Sequence, residues 1–100
     1  MAKGYWLAQV DVTDPRGYQD YVAANQAAFR TFAGRFLVRA GRCERVEGGC
    51  RSRLVVIEFP DYAAALACYH STEYRQAMAL RQACAVVDLV IVEGYDGAQP

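Results

Sequence analysis

The stretch RLVVIEFPDYAAALACYH, residues 53–70, contains the pattern that decides the fold. Val55, Ile57 and Phe59 alternate with less uniformly apolar residues, which is typical of a strand that buries one face. We therefore expect these three side chains to face the core. Glu58 then faces the other side of the sheet, and its surroundings there bear directly on function.

The same stretch continues into a helix. Pro60 ends the strand, because proline cannot donate to a sheet ladder, and Asp61 can cap the helix YAAALACYH. Ser71 looks like a second cap, which starts a further helical piece, TEYRQAMALRQACA. His70 is therefore predicted at a joint between two helical segments.

The rest of the chain supplies one helix and three more strands. Asp14-Pro15 predicts a helix start, because aspartate caps open N–H groups and proline suits the first turn. The order strand, helix, strand, strand, helix, strand predicts a ferredoxin-like α+β fold, with a four-stranded antiparallel sheet and helices on one face. We expect residues 1–100 to form a single domain, with the other strands at GYWLAQVDV (4–12), RFLVRAGRCERVEGG (35–49) and VDLVIVEGY (87–95).

Composition and motifs exclude several functional classes. Eleven basic and eleven acidic residues cancel, so the charge pattern indicates neither nucleic acid nor an anionic membrane as partner. No apolar run reaches the roughly 18 residues of a membrane span, and no signal peptide is recognisable, which favours a cytoplasmic protein. The four cysteines form no CxxC, only one histidine is present, and no phosphate or dinucleotide loop occurs. No metal or cofactor is therefore predicted.

The face of the sheet away from the helices is predicted to be unusually apolar. A solvated antiparallel face normally carries polar residues, and a patch of this size is rarely left in water. A second copy of the sheet would cover it, so we expect a homodimer packed face to face. The apolar side chains assigned to this face are Tyr5, Leu7, Leu37, Leu54, Val56, Leu89, Ile91 and Tyr95.

Polar side chains on the same face need partners. Alternation assigns Arg39 and Glu58 to it, and an unpaired buried charge costs several kcal/mol, so the two are expected to pair or to line a cavity. In the first interpretation they form a structural ion pair. In the second, Arg39 orients an anionic ligand and Glu58 transfers a proton, while Gln9, Tyr5 and Tyr95 contact the ligand.

Two further residues are candidates for the site. His70 is the only imidazole and can act as a general base near neutral pH, although a surface or capping histidine is the favoured interpretation. Asn25 on the first helix can donate a hydrogen bond to a carbonyl or enolate of a ligand. The alternative interpretation is that Asn25 is an ordinary polar residue on the outer side of the helix. A haem-ligand role for His70 is a less favoured alternative.

Several blocks together resemble a known family. KGYWLAQVDVTDPRGYQDYVAAN, GRFLVRAGRCERVEG, RLVVIEFPDYAAALACYHSTEY and DLVIVEGYDG resemble the domain of unknown function 1330, over residues 3–97. The resemblance implies membership of the dimeric α+β barrel group, which includes haem-degrading and cofactor-free monooxygenases, muconolactone isomerase-like enzymes and stress-response proteins. This family commonly has a Gly-Gly pair after the arginine of strand two, where the chain has Arg39-Ala40-Gly41.

Two functional hypotheses follow. The first is a small enzyme, an isomerase, lyase or cofactor-free oxygenase, that acts on a small, partly apolar molecule in a pocket between sheet and partner. The second is a non-catalytic binding or stress-related dimer, in which Arg39 and Glu58 only fix the interface. Fold analogy alone does not decide between them.

Overall fold

The computed structural model describes all 100 residues and has a four-stranded antiparallel sheet with helices on one face. The elements are β1 (Gly4–Val12), α1 (Pro15–Thr31), β2 (Arg35–Arg39), β3 (Arg53–Phe59), α2 (Tyr62–His70), α3 (Thr72–Gln82) and β4 (Ala85–Glu93). The strand order in the sheet is β2-β3-β1-β4, which confirms the predicted ferredoxin-like α+β fold. None of the helices combines the length and apolar character needed to cross a membrane.

The helix starts follow the predicted capping residues. The Asp14 carboxylate accepts a hydrogen bond of 3.2 Å from the Arg16 backbone N–H, with Pro15 in the first turn. Asp61 accepts one of 2.8 Å from the backbone of Ala64. These side chains satisfy N–H groups that have no partner within the helix, so each helix begins where its cap lies.

The joint between α2 and α3 also lies where the sequence predicts it. Ser71 has an extended backbone, with φ −69° and ψ 156°, so the first helix cannot continue through it. Its hydroxyl accepts a hydrogen bond of 3.1 Å from the Tyr74 N–H and so begins α3. This arrangement brings Tyr74 into the core at the start of α3.

Trp6 lies at the centre of the core, between the sheet and the helices. Its side chain is only 2% exposed, and its indole N–H donates to the Ala65 carbonyl at 2.9 Å. The rings of Tyr74, Phe29 and Phe59 lie 4.8, 5.2 and 5.4 Å from it, centre to centre. The contacts with Tyr74 and Phe29 are edge-to-face, and such contacts add to the stabilisation from burial. Trp6 therefore joins β1 to the elements that pack on the inner face.

Strand β2 is shorter than predicted and contains a bulge. It ends at Arg39 and does not continue to residue 49, because Ala40 has φ +55° and takes the chain out of the extended conformation. The pairing with β3 shifts between Phe36 and Val38, so one extra residue interrupts the alternation. Arg39 consequently pairs with Val55 and shares its inner face. The predicted placement of Arg39 on the outer face is therefore wrong.

The predicted faces of β4 are also reversed. Leu89 pairs with Ala8 and Ile91 pairs with Trp6, so both pack on the helix side. Val90 and Val92 take the outer face and are exposed. Alternation could not decide this, because both sets of side chains in β4 are apolar.

The outer face of the sheet nevertheless remains apolar, as predicted, although its membership changes. It forms a concavity of about 350 Å³ whose walls include Leu7, Leu54, Val56 and Val90. No helix of the chain covers it. An apolar face of this extent on an antiparallel sheet usually marks an interaction surface.

Candidate functional site

Glu58 lies on the outer face and pairs with a different arginine from the predicted one. Its carboxylate accepts from Arg35 Nε at 2.9 Å and from the Tyr5 hydroxyl at 3.2 Å. Burial, together with the bond to Glu58, raises the pKa of the Tyr5 hydroxyl. The predicted Arg39–Glu58 pair is therefore wrong, because Arg39 points to the opposite side of the sheet.

Gln9 also lies on the outer face, at the other end of β1. Its side-chain oxygen accepts from the Arg51 N–H at 3.1 Å, and the Arg51 guanidinium contacts Asp88 at 2.7 Å and Asp11 at 3.0 Å. A bond from the Ser52 backbone N–H and the bond from Arg51 hold the pKa of Asp11 below its ordinary value. Gln9 thus helps to anchor the end of the loop that precedes β3.

His70 and Tyr95 lie away from these groups. His70 is exposed at the end of α2, with its ring 5.2 Å from that of Tyr69. Tyr95 is 73% exposed, and its hydroxyl donates to the Ala98 carbonyl at 2.6 Å. Neither residue lines the inner or the outer cavity, so their predicted roles in one site with Glu58 gain no support from the geometry.

A second cavity lies on the inner face, between the sheet and the helices α1 and α3. Its volume is about 40 Å³, and 13 of its 17 lining residues are hydrophobic. Ligand sites are commonly apolar cavities with a few convergent polar groups. The polar side chains of this inner cavity are Asn25, Arg39, Arg53 and Arg81, with the hydroxyls of Tyr18, Tyr21 and Tyr74.

Asn25 carries a buried oxygen that has no partner. The residue is 4% exposed, and its Oδ1 accepts no hydrogen bond from the protein. α1 places it between the buried Tyr21 and Phe29, each four residues away on the same helix face. A buried acceptor left unsatisfied costs about 1–3 kcal/mol, so Asn25 Oδ1 is available to accept a hydrogen bond from a molecule in the cavity.

Two arginines at the edge of the inner cavity stack on aromatic rings. The Arg53 Cζ lies 5.2 Å from the centre of the Tyr18 ring, and the Arg39 Cζ lies 4.1 Å from that of Phe36. The Nε of Arg53 is buried without an acceptor. Stacking holds each guanidinium plane while leaving N–H groups for a ligand.

A chain of hydroxyls runs from the inner cavity to Arg81. The Tyr21 and Tyr74 hydroxyl oxygens are 2.7 Å apart, and Arg81 donates to the Tyr74 hydroxyl at 2.7 Å. Burial raises the pKa of both tyrosines, so they stay neutral at physiological pH. The chain can therefore donate hydrogen bonds to a ligand, but it offers no base.

The structure divides the predicted site residues between the two faces of the sheet, and it brings Tyr5 into contact with Glu58 on the outer one. Asn25 and Arg39 line the inner cavity, whereas Glu58, Gln9 and Tyr5 occupy the opposite face of the sheet. Sequence reasoning missed the contributions of Arg53, Tyr21, Tyr74 and Arg81. The position of Arg53 could have been predicted, because Arg53 stands two residues before Val55 and so faces the same side of β3 as the inward-facing residues.

The fold and the inner cavity define a ferredoxin-like α+β protein with a candidate ligand site between sheet and helices. The chain belongs to the family described as domain of unknown function DUF1330, whose model matches residues 3–95. No curated protein matches the sequence.

Solved structures share the fold at low sequence identity. The protein of unknown function RPA0582 from Rhodopseudomonas palustris matches with a TM-score of 0.75 and 18% identity, over 99% of this chain and 85% of that one. SnoaB, a cofactor-independent oxygenase from Streptomyces nogalater, matches with a TM-score of 0.63 and 14% identity, over 100% of this chain and 97% of that one. A conserved protein of unknown function from Bacteroides thetaiotaomicron, described as a possible oxidoreductase, matches with a TM-score of 0.54 and 12% identity, over 92% of this chain and 97% of that one. These likenesses establish the fold.

Proposed function

We propose that the protein is an enzyme whose active site is the inner cavity. The observation that carries this proposal is the pair of unpartnered buried atoms, Asn25 Oδ1 and Arg53 Nε, in an otherwise apolar site. Folding alone gains nothing from such atoms, whereas a bound molecule can satisfy both. The site lies within one chain, on the helix side of the sheet, and not between the sheet and a partner.

The side chains of the inner cavity favour one of the three reaction classes predicted from the sequence. An isomerase or a lyase needs a group that takes up and releases protons near neutral pH. The titratable groups lining the cavity are tyrosines and arginines, and arginine stays protonated. A cofactor-free oxygenase acting on an electron-rich hydroquinone acid needs chiefly cations that hold the carboxylate of the substrate, and the arginines supply these.

Structural likeness to SnoaB, described as a cofactor-independent oxygenase, supports this choice. In the proposed reaction the electron-rich hydroquinone ring of the substrate, held through its carboxylate, transfers electrons to dioxygen. With 2,5-dihydroxybenzoate, one oxygen atom replaces a ring hydrogen and the other leaves as water. The substrate loses four electrons and becomes a hydroxyquinone carboxylate, so atoms and electrons balance.

The size of the inner cavity limits the substrate. A volume of about 40 Å³ holds about three water molecules. A single aromatic ring therefore requires the rim to open. Arg39 is exposed and precedes the loop between β2 and β3, so its side chain can move aside without disturbing the core.

Oxygen uptake tests the proposal. With 2,5-dihydroxybenzoate in chelator-treated buffer, we expect protein-dependent oxygen consumption at an electrode and one labelled oxygen atom in the product from ¹⁸O₂. The Gln26→Leu variant, changed at an exposed position on α1, should behave like the wild type. Binding by calorimetry without oxygen uptake would favour the alternative, a non-catalytic binding protein. The absence of both would rule out this use of the cavity.

The outer face supports a second proposal, which concerns assembly. Leu7, Val38, Val90 and Val92 are all at least 40% exposed there. Two copies of this face would bury apolar surface that water otherwise covers. We propose that the protein forms a homodimer with the sheets face to face, as the sequence predicts, so that Glu58 and Arg35 pair near the interface.

Replacing Leu7 with glutamate tests this assembly. The change places a charge at the centre of the outer face, where dimerisation would bury it without a partner. At micromolar concentration, light scattering should give twice 11.1 kDa for the wild type and 11.1 kDa for the variant. Circular dichroism serves as the control for folding. A wild-type mass of 11.1 kDa would contradict the proposal.

A further inference from the structure

We infer that the ligand of the inner cavity is a small aromatic hydroxy acid, whose carboxylate binds Arg53 and whose hydroxyl donates to Asn25 Oδ1. This inference rests on the proposed function of the cavity and names the chemical class of its substrate. It comes from three features: the charge of the cavity lining, its two unpartnered atoms and its aromatic walls.

The lining is positively charged without compensation. Arg39, Arg53 and Arg81 contribute to it, and no aspartate or glutamate does. The three ion pairs of the chain use Arg35 and Arg51 and lie on the outer side of the sheet. Guanidinium groups in an apolar cavity without a carboxylate favour an anionic ligand.

Arg53 is the best placed of these arginines to bind the anion. Its Nε is buried and lacks an acceptor, and its guanidinium is positioned by the ring of Tyr18. The Nε–H and a neighbouring N–H can together bind both oxygens of one carboxylate. Arg39 lines the rim of the same cavity and can add a second positive charge once the ligand has entered.

Asn25 requires a hydrogen-bond donor on the ligand. Its unpartnered atom is an acceptor, so a carboxylate, which is itself only an acceptor when ionised, cannot satisfy it. A hydroxyl group can. One molecule that satisfies both atoms must therefore carry an anionic group and a hydrogen-bond donor.

The walls of the inner cavity favour a flat ring between these two groups. Aromatic side chains line it from β1, α1, β2 and α3, and flat rings pack against such walls through stacked or edge-on contacts. Because the cavity is small, one ring is preferred to two. The aromatic residues are Trp6, Tyr18, Tyr21, Phe29, Phe36 and Tyr74.

Calorimetric titration with four probes tests the inference: benzoate, phenol, 3-hydroxybenzoate and 4-hydroxybenzoate. At least one hydroxybenzoate should bind about tenfold or more tightly than both benzoate and phenol, since each polar contact adds to affinity. Arg53→Met should reduce the affinity for that hydroxybenzoate to near that of phenol. Asn25→Leu should reduce it to near that of benzoate. Arg30→Met, at an exposed position on α1, is the matched control and should leave it unchanged.

A second variant protects the test against misfolding. Arg53→Lys keeps the charge but removes the Nε–H, so we expect an affinity between those of the wild type and Arg53→Met. Four probes of equal affinity, or tightest binding of phenol, would overturn the inference even if oxygen uptake occurs. Selective hydroxybenzoate binding without oxygen uptake would instead refute the proposed oxygenase and leave the ligand class standing.

Discussion

Replacing Asn25 with leucine is expected to raise the stability of the protein and, at the same time, to abolish tight ligand binding. Leucine has the same branched shape and number of side-chain heavy atoms as asparagine, and it removes a buried oxygen that accepts no hydrogen bond. Removing such a group should stabilise the fold by about 1 kcal/mol. For a chain of this size this corresponds to a rise of about 4–8 °C in Tm.

The same substitution is expected to weaken ligand binding although it stabilises the fold, because both effects come from removing the Asn25 Oδ1 acceptor. In the wild type, the ligand hydroxyl satisfies Asn25 Oδ1, and leucine offers no acceptor. A stabilising change that removes function is the trade-off expected of a functional site. A merely structural asparagine would behave differently, since its replacement would lower the stability.

Differential scanning calorimetry and ligand titration measure the two effects. Gln26→Leu is the control, because it makes the same kind of change at the next, exposed position of α1. This control should shift the unfolding free energy by no more than about 0.5 kcal/mol. A lower Tm for Asn25→Leu together with unchanged affinity would contradict the assignment of Asn25 to the site.

Replacing Trp6 with alanine should cause the largest loss of stability of any change discussed. The substitution removes a side chain that is 2% exposed and that contacts four aromatic rings, those of Phe29, Phe59, Tyr69 and Tyr74. Large cavities of this kind cost about 3–5 kcal/mol. Since a domain is stable by only about 5–15 kcal/mol, much of the total is lost.

Urea unfolding followed by circular dichroism measures this loss. The lost indole bond to the Ala65 carbonyl adds to the effect. Leu80→Ala on the exposed side of α3 is the control and should change the free energy by about 0.5 kcal/mol or less. Equal effects of the two substitutions would show that Trp6 does not hold the core together.

The fold was predictable because local signals and alternation agree over most of the chain. Asp14, Asp61 and Ser71 cap their helices as expected, and Val55, Ile57 and Phe59 face the core. The sequence of strands and helices then permits few topologies.

The candidate site was harder to predict, because it depends on which face each side chain occupies. A single bulge in β2 moves Arg39 from the outer to the inner face and leaves Glu58 with Arg35. A one-residue change in register reverses the face of every side chain beyond it. In β4 both faces are apolar, so periodicity carried no information about Leu89 and Ile91.

Asn25 was recognisable as a candidate, but its partners were not. Tyr21 shares its helix face, whereas Arg53, Tyr74 and Arg81 come from β3 and α3 and are distant in sequence. Their convergence is a property of packing between the sheet and two helices. No local pattern encodes it.

One nitrogen-15 correlation spectrum, recorded with and without the tighter-binding hydroxybenzoate, tests the central claim that ligand binds on the helix side. The side-chain signals of Arg53 Nε–H, Asn25 Nδ2 and the single indole, Trp6 Nε1–H, report on the inner cavity, and Arg35 Nε–H reports on the outer face. We predict that the first three shift with ligand while the Arg35 signal stays in place. A shift of the Arg35 signal, with the other three unmoved, would place the ligand at Glu58 and contradict this account.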